Sequence, residues 1–197
     1  CEGNYLFLDL HHIVADGTSL AIIMNDINRA YSGEKLEPET YTSYDLALDN
    51  RDALAGDIYK NAESYYRSVF ESAGGSISFY PDKSGAVPTA ELYRRETAEI
   101  SVQGVKEFCK KHGITENVFF ISAFGITLGK YNFKKDAVFT TIYHGRNDSR
   151  LSETVGMLVK TLPVYCNFAG STEQCLTEVQ KQLINSMNND IYPFSQI

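Results

Sequence analysis

Short apolar runs along the chain predict β-strands. Residues 5–10 form a run too short for a helix and rich in strand formers, so we predict a buried strand there. Residues 137–143 predict another strand, and residues 158–168 predict one that Pro163 bends or confines to a sheet edge. A weaker alternation over residues 90–100 indicates a further strand. The stretches between these runs follow a different period.

Apolar residues at helical spacing fill those stretches. We predict helices from residues 16–18 to Gly33, over residues 43–72 with a break near Gly56, over residues 102–112, from Thr115 to Tyr131, and from Ser171 or Thr172 onwards. Two segments rich in polar residues, glycine or proline, residues 33–42 and 74–88, are predicted connectors. Because strands and helices alternate, the pattern indicates an α/β fold with a mixed sheet.

The charge balance narrows the function classes. The 197 residues carry 18 basic and 25 acidic side chains, a net charge of −7. Negative charge is unfavourable for binding nucleic acid or an anionic membrane, so we expect neither as a partner. No uncharged apolar stretch reaches the roughly 20 residues that cross a bilayer. With 43% hydrophobic and 22% charged residues, the chain is globular and long enough to bury a core without disulfides or metals.

Cysteine usage points to a reducing compartment. The four cysteines, at positions 1, 109, 166 and 175, show no Cys-x-x-Cys spacing, and we interpret them as reduced thiols of a cytoplasmic protein. The sequence contains no metal-ligand cluster, no phosphate-cradling glycine loop and no nucleophilic serine or cysteine elbow. We therefore expect no metal site and no covalent acyl-enzyme.

The most informative segment is His11 to Gly17, His-His-Ile-Val-Ala-Asp-Gly, which joins the first predicted strand to the first predicted helix. The pattern His-His-x-x-x-Asp-Gly arises by chance in about 3 of 10,000 chains of this composition. Histidine is the side chain best suited to carry a proton near neutral pH. Adjacent side chains at a strand end point to opposite faces, so one histidine can face a cavity while the other packs inward. On chemistry alone, a buried histidine pair before a capped helix is an equal alternative.

Three segments resemble motifs of one family. Residues 11–17 are similar to the His-His-x-x-x-Asp-Gly signature of condensation domains in nonribosomal peptide synthetases, and more broadly to the His-x-x-x-Asp motif of chloramphenicol-acetyltransferase-like acyltransferases. Residues 144–146, His-Gly-Arg, and residues 155–164, Val-Gly-Met-Leu-Val-Lys-Thr-Leu-Pro-Val, resemble the family's later motif. Residues 192–194 resemble its Tyr-Pro-Phe element. Lys160 departs from the asparagine that is usual in the later motif.

The resemblance implies a fold and a domain organisation. The expected fold is a chloramphenicol-acetyltransferase-like mixed sheet flanked by helices, in a condensation domain of two lobes. We predict that residues 1–80 form the end of the N-terminal lobe with the histidine loop, and that residues 81–197 form part of the C-terminal lobe. Because the family's domain is longer and the motif stands near the beginning, we interpret the chain as a fragment that is inactive by itself.

The implied function is enzymatic. The resemblance implies an acyltransferase that forms a peptide bond, in which the α-amine of an acceptor attacks the thioester carbonyl of a donor. Both substrates are carried on the 4′-phosphopantetheine arms of donor and acceptor peptidyl carrier domains, so the domain itself binds no cofactor. An adjacent adenylation domain is a further expected partner, and the expected pathway is secondary metabolite or antibiotic biosynthesis.

The resemblance also assigns roles in the histidine loop. His12 matches the catalytic position, where it would act as general base or positioning group. His11, Asp16 and Gly17 are expected to shape the loop, and the Gly17 N–H is a candidate contact to the developing oxyanion. Asp16 is expected to form an ion pair with an arginine that the sequence does not locate within this chain.

The later motif holds three further candidates for contacts with the substrate tunnel or a carrier. These are His144, Arg146 and Lys160. For His144 the competing interpretation is a capped strand end, and for Arg146 it is a turn residue on a solvated loop.

Three other functions stay open. An epimerization domain shares the first motif, although residues 160–163 resemble condensation domains more. A stand-alone acyltransferase of the same superfamily is the second alternative. The third belongs to a different class, a noncatalytic domain that docks carriers or recruits an enzyme. The intact set of His12, Asp16 and Gly17 argues against this last alternative.

Overall fold

The computed structural model describes residues 4–71, 73, 94 and 100–197. Within this part of the chain the helices are α1 (Gly17–Tyr31), α2 (Ser43–Leu54), α3 (Asp57–Phe70), α4 (Val102–His112), α5 (Glu116–Tyr131) and α6 (Thr172–Asn188). The strands are β1 (Asp136–Tyr143) and β2 (Lys160–Asn167). Two short 3-10 turns lie at Ser149–Leu151 and Phe194–Gln196.

Local capping chemistry explains where the helices begin and end. Asp16 and Thr115 accept backbone N–H bonds at the starts of α1 and α5, and Thr42 forms a capping box with Asp45 at the start of α2. Gly113 ends α4 with a φ of 63°, a conformation that glycine adopts without strain. The predicted helices are confirmed, and the predicted break near Gly56 separates α2 from α3.

Two of the predicted strands are confirmed. β1 and β2 pair in a two-stranded sheet. The residue after β2 bonds to the residue before β1, since the Phe168 N–H donates to the Lys135 carbonyl at 3.0 Å. This pairing joins the end of one strand to the start of the other, so the strands run in opposite directions. Pro163 lies within β2, which among the described residues pairs with β1 alone, as expected for a strand that contains proline.

The prediction of a buried strand at residues 5–10 is wrong. The segment forms no strand, and its apolar side chains are exposed, with 88% of Phe7 accessible. A strand needs a neighbour that takes up its backbone N–H and C=O groups, and no strand of the described part of the chain pairs with it. The strand predicted at residues 90–100 and the connector at residues 74–88 fall almost entirely outside the described residues.

The fold divides into two compact units, each built from separate stretches of sequence. One contains Cys1–Tyr66, Ile142–Leu162 and Met187–Ile197, and the other contains Arg67–Thr141 and Pro163–Ser186. These bounds differ from the contiguous ranges expected from the sequence, and the assignment of residues to lobes stays a prediction. The core of the second unit is formed by side chains from α5, β2 and α6: Val118, Ile121, Val164, Cys166, Cys175, Val179 and Leu183.

Cys109, Cys166 and Cys175 are buried free thiols. None of the helices in the described residues is both long enough and apolar enough to cross a membrane.

Candidate active site

The histidine loop, residues 11–17, begins with a turn that is stabilised by hydrogen bonds within the loop. The Val14 N–H donates to the His11 carbonyl at 3.0 Å, and the Ile13 N–H donates to Nδ1 of His11 at 3.1 Å. His11 and His12 are both exposed, so the expectation that one of them packs inward is wrong. The reason is that residues 4–10 form no strand that would direct the two side chains to opposite faces.

A cavity of about 320 Å³ opens beside the loop. His12, Asp16 and Gly17 line it together with the apolar side chains of Leu8, Leu10 and Leu20. Gly17 has an ordinary φ, and a Cβ added to it would meet no atom within 4 Å. The glycine therefore leaves open space at the first residue of α1, next to the exposed imidazole of His12.

Asp16 is the buried anchor of the loop. Its Oδ1 accepts hydrogen bonds from the Ser19 N–H and the Ser19 hydroxyl, both at 2.8 Å, and its Oδ2 accepts the Leu158 N–H at 3.1 Å. The fourth donor is Nη2 of Arg146, 3.1 Å from Oδ1. The Asp16 side chain is 0% exposed and that of Arg146 is 6% exposed. The carboxylate thus fixes the start of α1 to the segment that follows β1.

Arg146 is the arginine partner that the sequence did not locate. Its Nη1 donates to the carbonyl oxygens of Leu151 and Thr154, both at 2.7 Å, while Nη2 faces Asp16. A nearly buried guanidinium bonded in this way is not a turn residue on a solvated loop. Arg146 forms a structural ion pair in this fold, and its expected contact with the tunnel or a carrier stays a prediction.

The charge state of Asp16 follows from these contacts. Burial alone would raise the pKa of Asp16, but the hydrogen bonds from Ser19, Leu158 and Arg146 outweigh burial and hold it below its usual value. The ionised form is thus stabilised by folding.

We expect the contribution of Asp16 to stability to depend on pH. A carboxyl whose pKa is lowered by folding stabilises the protein fully above its unfolded pKa of about 3.9, and this stabilisation is lost as pH falls through the lowered folded value. Urea unfolding of the wild type and of Asp16→Asn between pH 7 and pH 3 measures it. The difference in free energy of unfolding should be constant above about pH 5 and shrink below about pH 4. A difference in free energy of unfolding that stays constant down to pH 3 would contradict the conclusion that folding lowers the pKa of Asp16.

Ser19 is a site residue that the sequence analysis missed. It is fully buried, and its hydroxyl lies 2.8 Å from Oδ1 of Asp16, 3.2 Å from Nη2 of Arg146 and 3.0 Å from the Gly156 nitrogen. The signal was present, because a serine three residues after an N-cap aspartate stands at the spacing of a capping interaction.

We predict that Ser19→Ala lowers the free energy of unfolding by about 1–3 kcal/mol, since it leaves the buried N–H and carbonyl of Gly156 without their partner and removes one of the hydrogen bonds to Asp16. Chemical denaturation measures the change. Ser64→Ala is the matched control, because the Ser64 hydroxyl is exposed and bonds only to its own helix. Equal effects of the two variants would rule out a structural role for Ser19.

Close backbone packing holds the later motif against this network. Gly145 has a φ of 70°, and a Cβ added to it would lie 1.9 Å from the Leu158 carbonyl oxygen. A side chain at Gly145 is therefore excluded by both conformation and contact. The Val155 N–H donates to the Glu39 carboxylate at 2.8 Å, and Thr154 donates to the Tyr41 carbonyl at 2.6 Å.

The remaining candidates occupy two different settings. Nδ1 of His144 accepts the Arg146 N–H at 3.0 Å, and its exposed ring lies 4.8 Å from that of Tyr143. Lys160 forms an ion pair with Asp190 at 2.9 Å and lines a separate cavity of about 460 Å³. His12 and Asp16 share one cavity, whereas Lys160 belongs to another.

The fold and site agree with what comparison with known proteins finds. The sequence profile of the family described as "Condensation domain" matches residues 2–197, so the chain belongs to the condensation domain family. Among its relatives is bacitracin synthase 2 of Bacillus licheniformis, with 27% identity over 201 residues. That match covers 98% of this chain and 8% of the relative, so the chain spans less than a tenth of that synthetase.

Solved structures agree on the fold. The SgcC5 protein from Streptomyces globisporus superposes with a TM-score of 0.78 at 22% identity, covering 94% of this chain and 44% of that one. The first condensation domain of the calcium-dependent antibiotic synthetase gives 0.74 at 17% identity, covering 95% and 43%. The epimerization domain from the third module of tyrocidine synthetase B gives 0.65 at 17% identity, covering 92% and 46%. The expected α/β condensation-domain fold is confirmed.

Proposed function

We propose that this chain is part of a condensation domain that joins two carrier-bound aminoacyl or peptidyl groups through an amide bond. The observation that carries the proposal is the position of His12, which is exposed at a cavity and held on a loop that a buried ion pair fixes. A site that must admit two large tethered substrates needs an open reactive group on a rigid support.

In this proposal His12 handles the proton of the acceptor amine. A free α-amine has a pKa of about 7.7–8, so a proton must leave before or during attack on the donor thioester. A neutral imidazole within hydrogen-bond reach can accept that proton, or can hold the amine in line with the carbonyl. When the amine nitrogen bonds to the thioester carbon and the thiol leaves, the growing chain passes to the acceptor arm.

Asp16 and Arg146 have a supporting role. All the contacts of the Asp16 carboxylate are to α1, Leu158 and Arg146, and its lowered pKa keeps it ionised near neutral pH. A carboxylate fixed in this way is unsuited to carrying protons during the reaction. It holds the loop on which His12 stands, and the open space at Gly17 leaves room for the reacting groups.

The proposed partners follow from the reaction. Substrates would arrive as thioesters on the phosphopantetheine arms of a donor and an acceptor carrier domain, one of them loaded by an adjacent adenylation domain. The match to a small part of bacitracin synthase 2 supports this setting, because such a chain would be one segment of a multidomain synthetase.

Epimerization is the second candidate, and the likeness to the tyrocidine epimerization domain favours it. In that reaction His12 would act on the α-proton of one tethered residue. The match of the family profile described as "Condensation domain" to residues 2–197 favours condensation.

Product analysis separates the candidates. The synthetase that contains this chain is incubated with a donor and an acceptor carrier, each loaded with a different amino acid, and the carriers are examined by mass spectrometry and chiral chromatography. Condensation predicts a dipeptidyl thioester on the acceptor. Epimerization would instead change only the stereochemistry of one residue, and a noncatalytic recruiting domain would change neither carrier.

A further inference from the structure

A partly buried lysine–aspartate pair lies apart from the histidine loop. Lys160 stands at the start of β2 and Asp190 follows α6. Nζ of Lys160 lies 2.9 Å from Oδ1 of Asp190 and 3.2 Å from its carbonyl oxygen. The two side chains are 29% and 22% exposed. Within the described residues this leaves one ammonium N–H and one carboxylate oxygen of the pair for another group.

The pair lines the cavity of about 460 Å³, together with Asn50 and Thr161, and also borders a smaller cavity of about 200 Å³. Most of the walls are apolar, formed by Leu54, Leu162, Tyr192, Pro193 and Phe194. The ring of Tyr192 packs against those of Tyr59 and Tyr66, with centroids at 5.0 and 6.1 Å, so this wall is supported from behind. An apolar cavity with a few convergent polar groups is the usual form of a small-molecule site.

The charges of the pair select the ligand. An anion that approaches Lys160 meets the carboxylate of Asp190, and a cation that approaches Asp190 meets the ammonium of Lys160. Each is attracted by one member and repelled by the other at nearly the same distance. A neutral group that accepts one hydrogen bond and donates another has no such conflict and satisfies both members.

We propose that this cavity binds a primary carboxamide carried on an apolar chain. The amide oxygen accepts the remaining N–H of Lys160, the amide NH₂ donates to the free carboxylate oxygen of Asp190, and the carbon chain lies against the apolar walls. Lysine replaces the asparagine usual at this position of the motif, so the preference would be particular to this chain. If the proposed function holds, on which this last step rests, the ligand is a substrate side chain that ends in a carboxamide.

Binding of four six-carbon probes to the 197-residue chain tests the proposal. Hexanamide, hexanoate, hexylammonium and hexan-1-ol share the same carbon chain and differ in the polar group. Titration at pH 7, followed by NMR chemical shifts, should give a Kd for hexanamide at least about tenfold lower than for the other three. Equal affinities, tighter binding of any other probe, or no binding of hexanamide would overturn the proposal.

Two variants should redirect the preference. Lys160→Met leaves the Asp190 carboxylate without its cation, so hexylammonium should become the tightest probe. Asp190→Asn leaves Lys160 without its anion, so hexanoate should become the tightest. Lys60→Met is the matched control, because it breaks an exposed lysine–aspartate pair, Lys60 with Asp57, and should leave the order unchanged.

If neither Lys160→Met nor Asp190→Asn changes the order of the probe affinities, the preference does not come from this pair and the proposal is contradicted. Circular dichroism checks that each variant is folded. If one variant does not fold, the order of the probe affinities of the wild type still tests the proposal. Peptide transfer plays no part in these titrations. A failed titration with intact transfer would overturn only this proposal, and lost transfer with the expected order of probes would overturn only the proposed function.

Discussion

Arg146→Met is expected to lower the free energy of unfolding by about 3–5 kcal/mol. The reason is that Asp16 is fully buried, so removal of the guanidinium leaves an uncompensated carboxylate and frees the carbonyls of Leu151 and Thr154. Denaturant unfolding, with the slope compared between variants, measures the loss. Arg29→Met is the matched control. It removes exposed pairs with Asp26 and Glu34 and should change stability by about 1 kcal/mol or less.

A double variant separates the ion pair from general damage. Asp16→Asn keeps a side-chain acceptor at the N-cap of α1 but removes the charge. Combined with Arg146→Met, it should cost less than the sum of the two single changes, because no unpaired charge stays buried. Strict additivity would show that Asp16 and Arg146 do not act as a pair.

His12→Ala is expected to lower peptide transfer at least about 100-fold, in line with the loss of a general acid–base group. Because the side chain is exposed and lines the cavity, its removal should leave the free energy of unfolding almost unchanged. Rapid-quench assays of the synthetase with loaded carriers measure the rate.

His11→Ala is the control from the same loop. It removes the acceptor of the Ile13 N–H, a local hydrogen bond in an exposed turn, and leaves His12 in place. Transfer should therefore fall by much less than in His12→Ala. Equal losses would assign the chemistry to the loop as a whole and not to His12.

Sequence predicted those features whose causes are local. The start of α1 after Asp16, the start of α5 after Thr115 and the end of α4 at residue 112 are each decided by hydrogen bonds or φ values within a few residues. Residues 5–10 show the opposite case. Their apolar, strand-forming composition is real, but a strand also needs a partner that sequence pattern does not supply.

The candidate active site likewise has features that the local sequence predicts and features that depend on contacts between distant residues. The histidine loop was found because its residues are adjacent in sequence. The sequence places Arg146 in a motif but does not identify it as the partner of Asp16, because the two residues are 130 positions apart. A buried carboxylate needs a partner such as a cation, and the later motif contains Arg146. Only the fold shows that Arg146 contacts Asp16. Lys160 was noted as a departure from its motif, and its partner Asp190 likewise needed the fold.

The proposed role of His12 is tested most directly by one rate and one free energy of unfolding, measured in the same pair of proteins. Formation of the dipeptidyl thioester and the free energy of unfolding are measured for the synthetase of which we propose this chain is a part, as wild type and as His12→Ala. We predict that the wild type forms the product and that the variant is at least about 100-fold slower at equal stability. Transfer at the wild-type rate by a folded His12→Ala protein, or no dipeptidyl thioester from the wild type, would contradict the central claim.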